Sequence, residues 1–232
     1  MARPTVLLLH AFPLDSRMWR SQQAALEATG QEVFAPDLPR EPLEVGFEAW
    51  ARQVLGEIEG DFVPVGCSMG GYLAFELWRQ ARERIRALAL LDTRATADTP
   101  EQRQARDDTI RVVGEEGFEP FWEALAPRLF APGADPELVA GARAVAAEQP
   151  LTALVTALET LRDRADSRET LATIDVPVLV AVGAEDAITP PADAEDMAAR
   201  VPSARLSTIA GAGHLAPLER PDEVTRALLA LL

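Results

Sequence analysis

A serine between two glycines stands where an apolar run meets a helical pattern, in Gly66-Cys67-Ser68-Met69-Gly70. The preceding segment, Asp61–Val65, predicts a short buried strand, and Tyr72–Arg84 predicts an amphipathic helix. The G-x-S-x-G spacing at such a junction is typical of a nucleophile elbow, a turn so sharp that the serine hydroxyl projects from the sheet edge. The alternative is a glycine-rich turn with an incidental serine. The strand-to-helix context favours a nucleophile at Ser68.

A serine hydroxyl is a weak nucleophile at neutral pH and needs a base to accept its proton. The chain has two histidines, His10 and His214. His214 ends Gly211-Ala212-Gly213-His214, directly after the last predicted strand, where glycines let a loop arch over the sheet edge. His10 ends the first predicted strand, where a lone histidine is more often structural. We therefore predict that His214 is the base.

The base needs a carboxylate that orients the imidazole and stabilises its charged form. Asp186 and Asp92 each follow a predicted strand, and both preserve the chain order nucleophile, acid, histidine. The strand before Asp186 immediately precedes the strand that leads to His214, which makes a short reach plausible. Asp186 is the preferred acid, and Asp92 stays open as the alternative.

An oxyanion in acyl transfer needs two preorganised donors. The backbone N–H of Met69, directly after the predicted nucleophile, is one candidate. The second is the N–H of Phe12, in the loop His10-Ala11-Phe12-Pro13 after the first strand. These donors meet only if the first and third strands are neighbours in the sheet.

Short apolar runs alternate with helical patterns along the chain. The predicted strands are Thr5–Leu9, Glu32–Ala35, Phe62–Gly66, Ala87–Leu91, Val176–Val182 and Arg205–Ile209. The predicted helices outside the central interval are Trp19–Thr29, Phe47–Glu59, Tyr72–Arg84, Ala192–Arg200 and Asp222–Leu231. Continuous apolar runs suit strands buried on both faces. We predict an α/β fold with a doubly wound, mostly parallel sheet.

One interval, residues 95–173, shows helical segments and no convincing strand. The simplest interpretation is an inserted helical cap over the carboxyl edge of the sheet, with residues 1–94 and 174–232 forming the core. The alternative is that these helices extend the core on one side.

The composition and charge of the chain argue against several classes of protein. The formal charge of −15 over 232 residues opposes binding to nucleic acid or anionic lipid. No apolar run reaches the roughly 18–20 residues of a membrane span, and the first apolar segment is too short for a signal peptide. A single cysteine cannot form an internal disulfide and suits a reducing cytoplasm. The two histidines have different predicted roles and cannot together form a zinc site, and the sequence has no glycine-rich phosphate-binding motif. We therefore predict that the protein uses neither a metal nor a cofactor.

Four ordered motifs resemble the α/β-hydrolase superfamily over essentially the whole chain. Besides the elbow, they are Leu8–Asp15 as oxyanion loop, Pro36–Pro39 as the turn after the second strand, Gly183–Pro190 as acid loop, and Gly211–His214 with Pro217, Glu219 and Pro221 as histidine loop and entry to the last helix. The resemblance also strengthens the choice of Asp186 as acid. Within the superfamily the chain is similar to small bacterial esterases and the 3-oxoadipate enol-lactonase group. Ala11 stands where most relatives have glycine, which adds a methyl beside the oxyanion loop.

The function predicted first is hydrolysis of a carboxylic ester through an acyl-enzyme. Enol-lactone opening, carbon–carbon bond hydrolysis or perhydrolysis with the same residues is the alternative, and a non-catalytic binding protein on this scaffold is a third. Arg94 is a candidate partner for a substrate carboxylate, against the alternative of a surface arginine at a strand end. Ala11 and Trp122 are further candidates for contact with the substrate, although an aromatic residue such as Trp122 is more often plain core. The sequence does not specify an oligomeric state.

Overall fold

The computed structural model describes residues 3–40 and 42–232. Its centre is a six-stranded parallel sheet in the order β2-β1-β3-β4-β5-β6. The strands are β1 Thr5–Leu9, β2 Val33–Phe34, β3 Phe62–Cys67, β4 Leu88–Leu91, β5 Val178–Gly183 and β6 Ala204–Ile209. The chain runs outward from β1 to β2 and then returns past β1 to β3. The strand order therefore reverses between β1 and β3, which confirms the predicted neighbours.

Eleven α-helices are present in the described part of the chain. They are α1 Arg20–Glu27, α2 Phe47–Leu55, α3 Met69–Ala81, α4 Pro100–Glu116, α5 Phe118–Leu129, α6 Pro136–Ala147, α7 Leu151–Arg162, α8 Arg168–Leu171, α9 Pro191–Arg200, α10 Ala216–Glu219 and α11 Pro221–Leu229. The helix after the elbow, α3, begins at Met69, three residues before the predicted start, because the helix follows the serine directly.

The sheet is covered on both faces, as the apolar runs predict. Successive residues of a strand point to opposite faces. Val6 and Leu8 of β1 therefore pack into the cluster that includes Leu26 of α1, together with residues of α11. Leu7 and Leu9 pack into the other cluster, with residues of α2, α3 and α9. This arrangement confirms a doubly wound α/β sheet.

Within the described residues, the segment between β4 and β5 contains helices α4–α8 and no strand. Helix α4 begins with a reciprocal cap, in which Thr99 Oγ1 accepts the Gln102 N–H and Gln102 Oε1 accepts the Thr99 N–H. Helices α4, α5 and α7 line one side of a cavity whose other side is the carboxyl edge of the sheet. The division into a core of residues 1–94 and 174–232 and a cap of residues 95–173 stays a prediction.

A search of the described residues finds no helix with the length and apolarity needed to cross a membrane.

Candidate active site

Ser68 occupies the turn between β3 and α3 with φ 51° and ψ −110°. Positive φ is costly for a residue with a Cβ and persists only where the surroundings hold it. Here the Ser68 N–H donates to Leu91 O at 2.9 Å, and its carbonyl accepts from Gly71 N–H at 2.9 Å and from Thr93 Oγ1 at 2.9 Å. The turn is therefore fastened to β4 on one side and to α3 on the other.

Glycine at position 70 lets α3 approach β1. A Cβ there would overlap the carbonyl group of Leu9, which is rigid backbone. The second glycine of the motif thus fixes how closely the serine approaches the loop after β1.

His214 lies beside Ser68, with its Nε2 atom 2.7 Å from Ser68 Oγ. Its Nδ1 atom lies 2.8 Å from Asp186 Oδ2. Because the carboxylate only accepts, Nδ1–H donates to Asp186 and Nε2 is left to accept the serine proton. The backbone N–H of His214 donates to Leu129 O at 3.0 Å, which ties the histidine loop to the end of α5.

Asp186 is held by a turn of its own loop. Its Oδ1 accepts the N–H groups of Ile188 at 2.8 Å and Thr189 at 2.9 Å, and its Oδ2 accepts the Thr189 hydroxyl at 2.7 Å. Burial by itself raises the pKa of Asp186, but the hydrogen bonds from His214 and Thr189 outweigh it and hold the pKa below its usual value. The group is thus a carboxylate at neutral pH. The sequence reasoning missed Thr189, although an aspartate followed by a threonine three residues later is a signal for such a turn.

Asp92, the alternative acid, is fully buried and takes a positive φ of 46°. Its Oδ1 accepts the Gly183 N–H at 2.8 Å, and its Oδ2 accepts the Ala216 N–H at 3.0 Å. Burial, reinforced by the charge of Asp186, raises the pKa of Asp92 well above its usual value. The structure thus directs Asp92 to the backbone of the two loops, and Asp186 to the imidazole of His214.

His10 has a structural environment, as predicted. Its Nε2 accepts the Leu38 N–H at 2.7 Å, so its Nδ1 carries the proton and donates to Ala11 O at 3.0 Å. Burial lowers the pKa of His10. The ring holds the loop after β2 against the end of β1.

The two residues predicted to supply the oxyanion donors both lie near Ser68. Met69 is the first residue of α3, and Phe12 lines the cavity together with Ser68 and His214. Within residues 3–40 and 42–232, neither backbone N–H donates to another group of the protein. Both amides thus lack an acceptor within the described protein, as oxyanion donors would in the absence of substrate.

The cavity above Ser68 has a volume of about 340 Å³. Its apolar wall includes Tyr72, Phe121, Leu125, Leu158 and Ile188. A largely apolar cavity of this size is typical of a site for a small molecule.

Of the three residues predicted to contact the substrate, Arg94 lines the cavity, whereas Ala11 and Trp122 do not. However, Arg94 Nε lies 3.3 Å from Asp193 Oδ2, and the guanidinium also donates to Ile188 O. Ala11 is fully buried and donates its N–H to Met18 Sδ at 3.1 Å.

Trp122 is buried in the hydrophobic cluster that also includes residues of α1 and α11, and it stacks on Phe118. The adjacent residue on α5, Phe121, lines the cavity instead, because neighbouring helical residues point about 100° apart. Ala11 and Trp122 thus lie outside the cavity lining.

No group of three or more histidine, cysteine, aspartate or glutamate side chains is arranged for a metal ion in the part of the chain that the structure describes.

Comparisons with known proteins agree with this architecture. Residues 6–227 match the profile of the "Alpha/beta hydrolase family". The chain is 30% identical to pimeloyl-[acyl-carrier protein] methyl ester esterase of Aromatoleum aromaticum, over 96% of each chain. It superimposes on a thermophilic esterase from Thermogutta terrifontis, solved with malate bound, with a TM-score of 0.91 and 35% identity, covering 99% of this chain and 89% of that one.

An enol-lactonase from Burkholderia xenovorans LB400 also superimposes, with a TM-score of 0.84 and 27% identity, over 100% of this chain and 92% of that one. A lactone is a cyclic ester, so these relatives support ester hydrolysis in general. The profile match over nearly the whole sequence, together with the parallel sheet and its elbow, establishes that this chain belongs to the α/β hydrolase family.

Proposed function

We propose that the protein hydrolyses carboxylic esters through an acyl-enzyme formed on Ser68. The observation that carries the proposal is the continuous hydrogen-bonded chain from Ser68 Oγ through His214 to Asp186, with contacts of 2.7 and 2.8 Å. Contacts of this length allow direct proton transfer between serine and imidazole.

The reaction steps follow from these hydrogen bonds between Ser68, His214 and Asp186. Ser68 Oγ attacks the ester carbonyl carbon while its proton passes to His214 Nε2, and Asp186 stabilises the imidazolium that results. The N–H groups of Phe12 and Met69 bind the oxyanion. Collapse of the tetrahedral intermediate breaks the bond to the alcohol, which leaves with the proton from His214.

Water then attacks the acyl carbonyl and gives its proton to the same imidazole. The second intermediate releases the carboxylic acid, and Ser68 recovers its proton. In this proposal the helices of residues 95–173 cover the site and shape the acyl pocket.

The test compares Ser68→Ala with Ser203→Ala, a matched change at an exposed serine. We expect Ser68→Ala to lose turnover of p-nitrophenyl esters by at least about 10³-fold, and Ser203→Ala to keep it. A fluorophosphonate probe should label the wild type at Ser68, read by peptide mass spectrometry. Full activity of Ser68→Ala would refute the proposal.

Enol-lactone opening is the second candidate, favoured by the fit to the Burkholderia enol-lactonase. The steps are the same, except that the leaving oxygen stays attached to the acyl group. A panel of p-nitrophenyl esters of graded acyl length, assayed beside an enol-lactone, ranks the two by kcat/KM.

A further inference from the structure

Arginine predominates among the charged residues that line the cavity above Ser68, although the whole chain carries a formal charge of −15. The charged residues that line it are Arg94, Arg106, Arg128, Arg164, Asp98 and Asp108. Arginines are thus twice as numerous as aspartates. An arginine on this wall whose charge no carboxylate of the protein balances is a candidate partner for an anionic group of a ligand.

Three of the four arginines are engaged by the protein itself. Asp98 lies between two of them, 2.6 Å from Arg164 and 3.2 Å from Arg106. Arg94 is held by Asp193, at 3.3 Å, and by the Ile188 carbonyl. The carboxylates of Asp98 and Asp193 therefore balance most of the positive charge of these three arginines.

Arg128 differs from these three. It lies in the last turn of α5, is exposed, and lines the cavity. Among residues 3–40 and 42–232, no carboxylate lies within 4.0 Å of its guanidinium, and its side chain donates no hydrogen bond. Arg128 also precedes Leu129, whose carbonyl accepts the N–H of His214 at 3.0 Å. The uncompensated charge therefore lies on the segment that contacts the histidine loop.

The competing explanation is local: a cation in the last turn of a helix stabilises the exposed carbonyls there. That role does not require a position on the cavity wall. It also predicts no difference between neutral and anionic substrates, so the two explanations are separable by experiment.

We propose that Arg128 binds a carboxylate carried by the substrate, so that the site takes half-esters of dicarboxylic acids. The inference rests on the proposed ester hydrolysis and specifies its substrate class. A guanidinium forms paired, charge-assisted hydrogen bonds with a carboxylate. Arg94, the arginine singled out by the sequence, is already occupied.

The test uses two esters of equal chain length, p-nitrophenyl valerate and mono-p-nitrophenyl glutarate, which differ by a terminal carboxylate. The measured quantity is the ratio of kcat/KM for the anionic ester to that for the neutral ester. We expect Arg128→Gln to lower this ratio about tenfold, the size of one charge-assisted contact at a partly solvated site. Arg128→Lys should retain part of it, because the charge stays and the planar fork is lost.

The matched control is Arg143→Gln on α6, an arginine paired with Glu119 away from the cavity lining. It should leave the ratio unchanged. The wild-type ratio should also fall as KCl rises from about 0.02 to about 0.5 M, because screening weakens attraction at an accessible site.

A binding measurement separates this inference from the proposed reaction. Glutarate should bind Ser68→Ala, measured by calorimetry, about tenfold more tightly than it binds the Ser68→Ala, Arg128→Gln double variant. If the ratio and the glutarate affinity are both insensitive to Arg128→Gln, the carboxylate site is refuted while ester hydrolysis stands. If Ser68→Ala keeps full turnover, the proposed reaction fails, and the glutarate difference still decides the anion site.

Discussion

Asp92 Oδ1 accepts a hydrogen bond from the backbone N–H of Gly183 at 2.8 Å, which fastens the end of β4 to the start of the loop that carries Asp186. The other oxygen accepts the N–H of Ala216, two residues after His214. One buried carboxyl group thus holds the two loops whose side chains meet at Ser68.

We predict that Asp92→Asn lowers the free energy of unfolding by about 1–3 kcal/mol and also lowers kcat/KM. An amide accepts with one atom only, so its N–H₂ group faces a backbone donor and one buried N–H loses its partner. Urea unfolding and ester kinetics measure the two effects. Asp196→Asn, at an exposed pair with Arg200, is the control.

The stability difference between wild type and Asp92→Asn should depend on pH. Because burial raises the pKa of Asp92, the native protein binds this proton more tightly than the unfolded chain does. The wild-type free energy of unfolding therefore falls as pH rises from about 4 towards the raised pKa, and the asparagine variant lacks this contribution. The advantage of the wild type should be largest near pH 4. An advantage that grows with pH would contradict the prediction.

Asp186→Asn should lower kcat by about 10³–10⁴-fold with little effect on far-UV circular dichroism, because asparagine no longer selects the tautomer in which Nε2 of His214 accepts the serine proton. Glu185→Gln, at the exposed neighbouring position, should stay within twofold of wild type. A loss below tenfold for Asp186→Asn would mean that another group orients the imidazole.

Alanine substitutions at two glycines should have opposite effects. Gly70→Ala places a methyl against the carbonyl of Leu9, and we expect it to destabilise the protein by more than about 2 kcal/mol. Gly114→Ala, on α4, has open space around the new methyl and should stabilise by about 0.5–1 kcal/mol. Thermal unfolding of both variants tests the pair. A tolerated Gly70→Ala would show that β1 and α3 separate easily.

Cys67, adjacent to Ser68, should not react with thiol reagents in the folded protein at pH 8. Its side chain is fully buried, and burial together with the charges of Asp92 and Asp186 raises its pKa well above the usual value, so the reactive thiolate is scarce. Ellman's reagent should report one thiol in urea and none in buffer. Rapid labelling in buffer would indicate opening of the elbow.

Local patterns in the sequence determined most of the architecture. Runs rich in apolar residues predicted where all six strands lie. Strands β1, β3, β4 and β5 are buried at every position, as strands covered on both faces require, whereas the edge strands β2 and β6 are partly exposed. The G-x-S-x-G spacing and the order of motifs selected Ser68, Asp186 and His214, and the structure brings these three side chains into one hydrogen-bonded chain. Strands and short motifs of this kind can be predicted from the sequence because they depend on residues that are close together in it.

Only the tertiary structure decided which long-range partner each polar group takes. Asp92 and Asp186 both end strands, yet one binds the backbone of two loops and the other binds the imidazole. Arg94 is engaged by Asp193, whereas Arg128 lines the cavity with no carboxylate beside it among the described residues. Partner choice depends on distances between segments far apart in the chain, and those distances are set by packing of the whole fold.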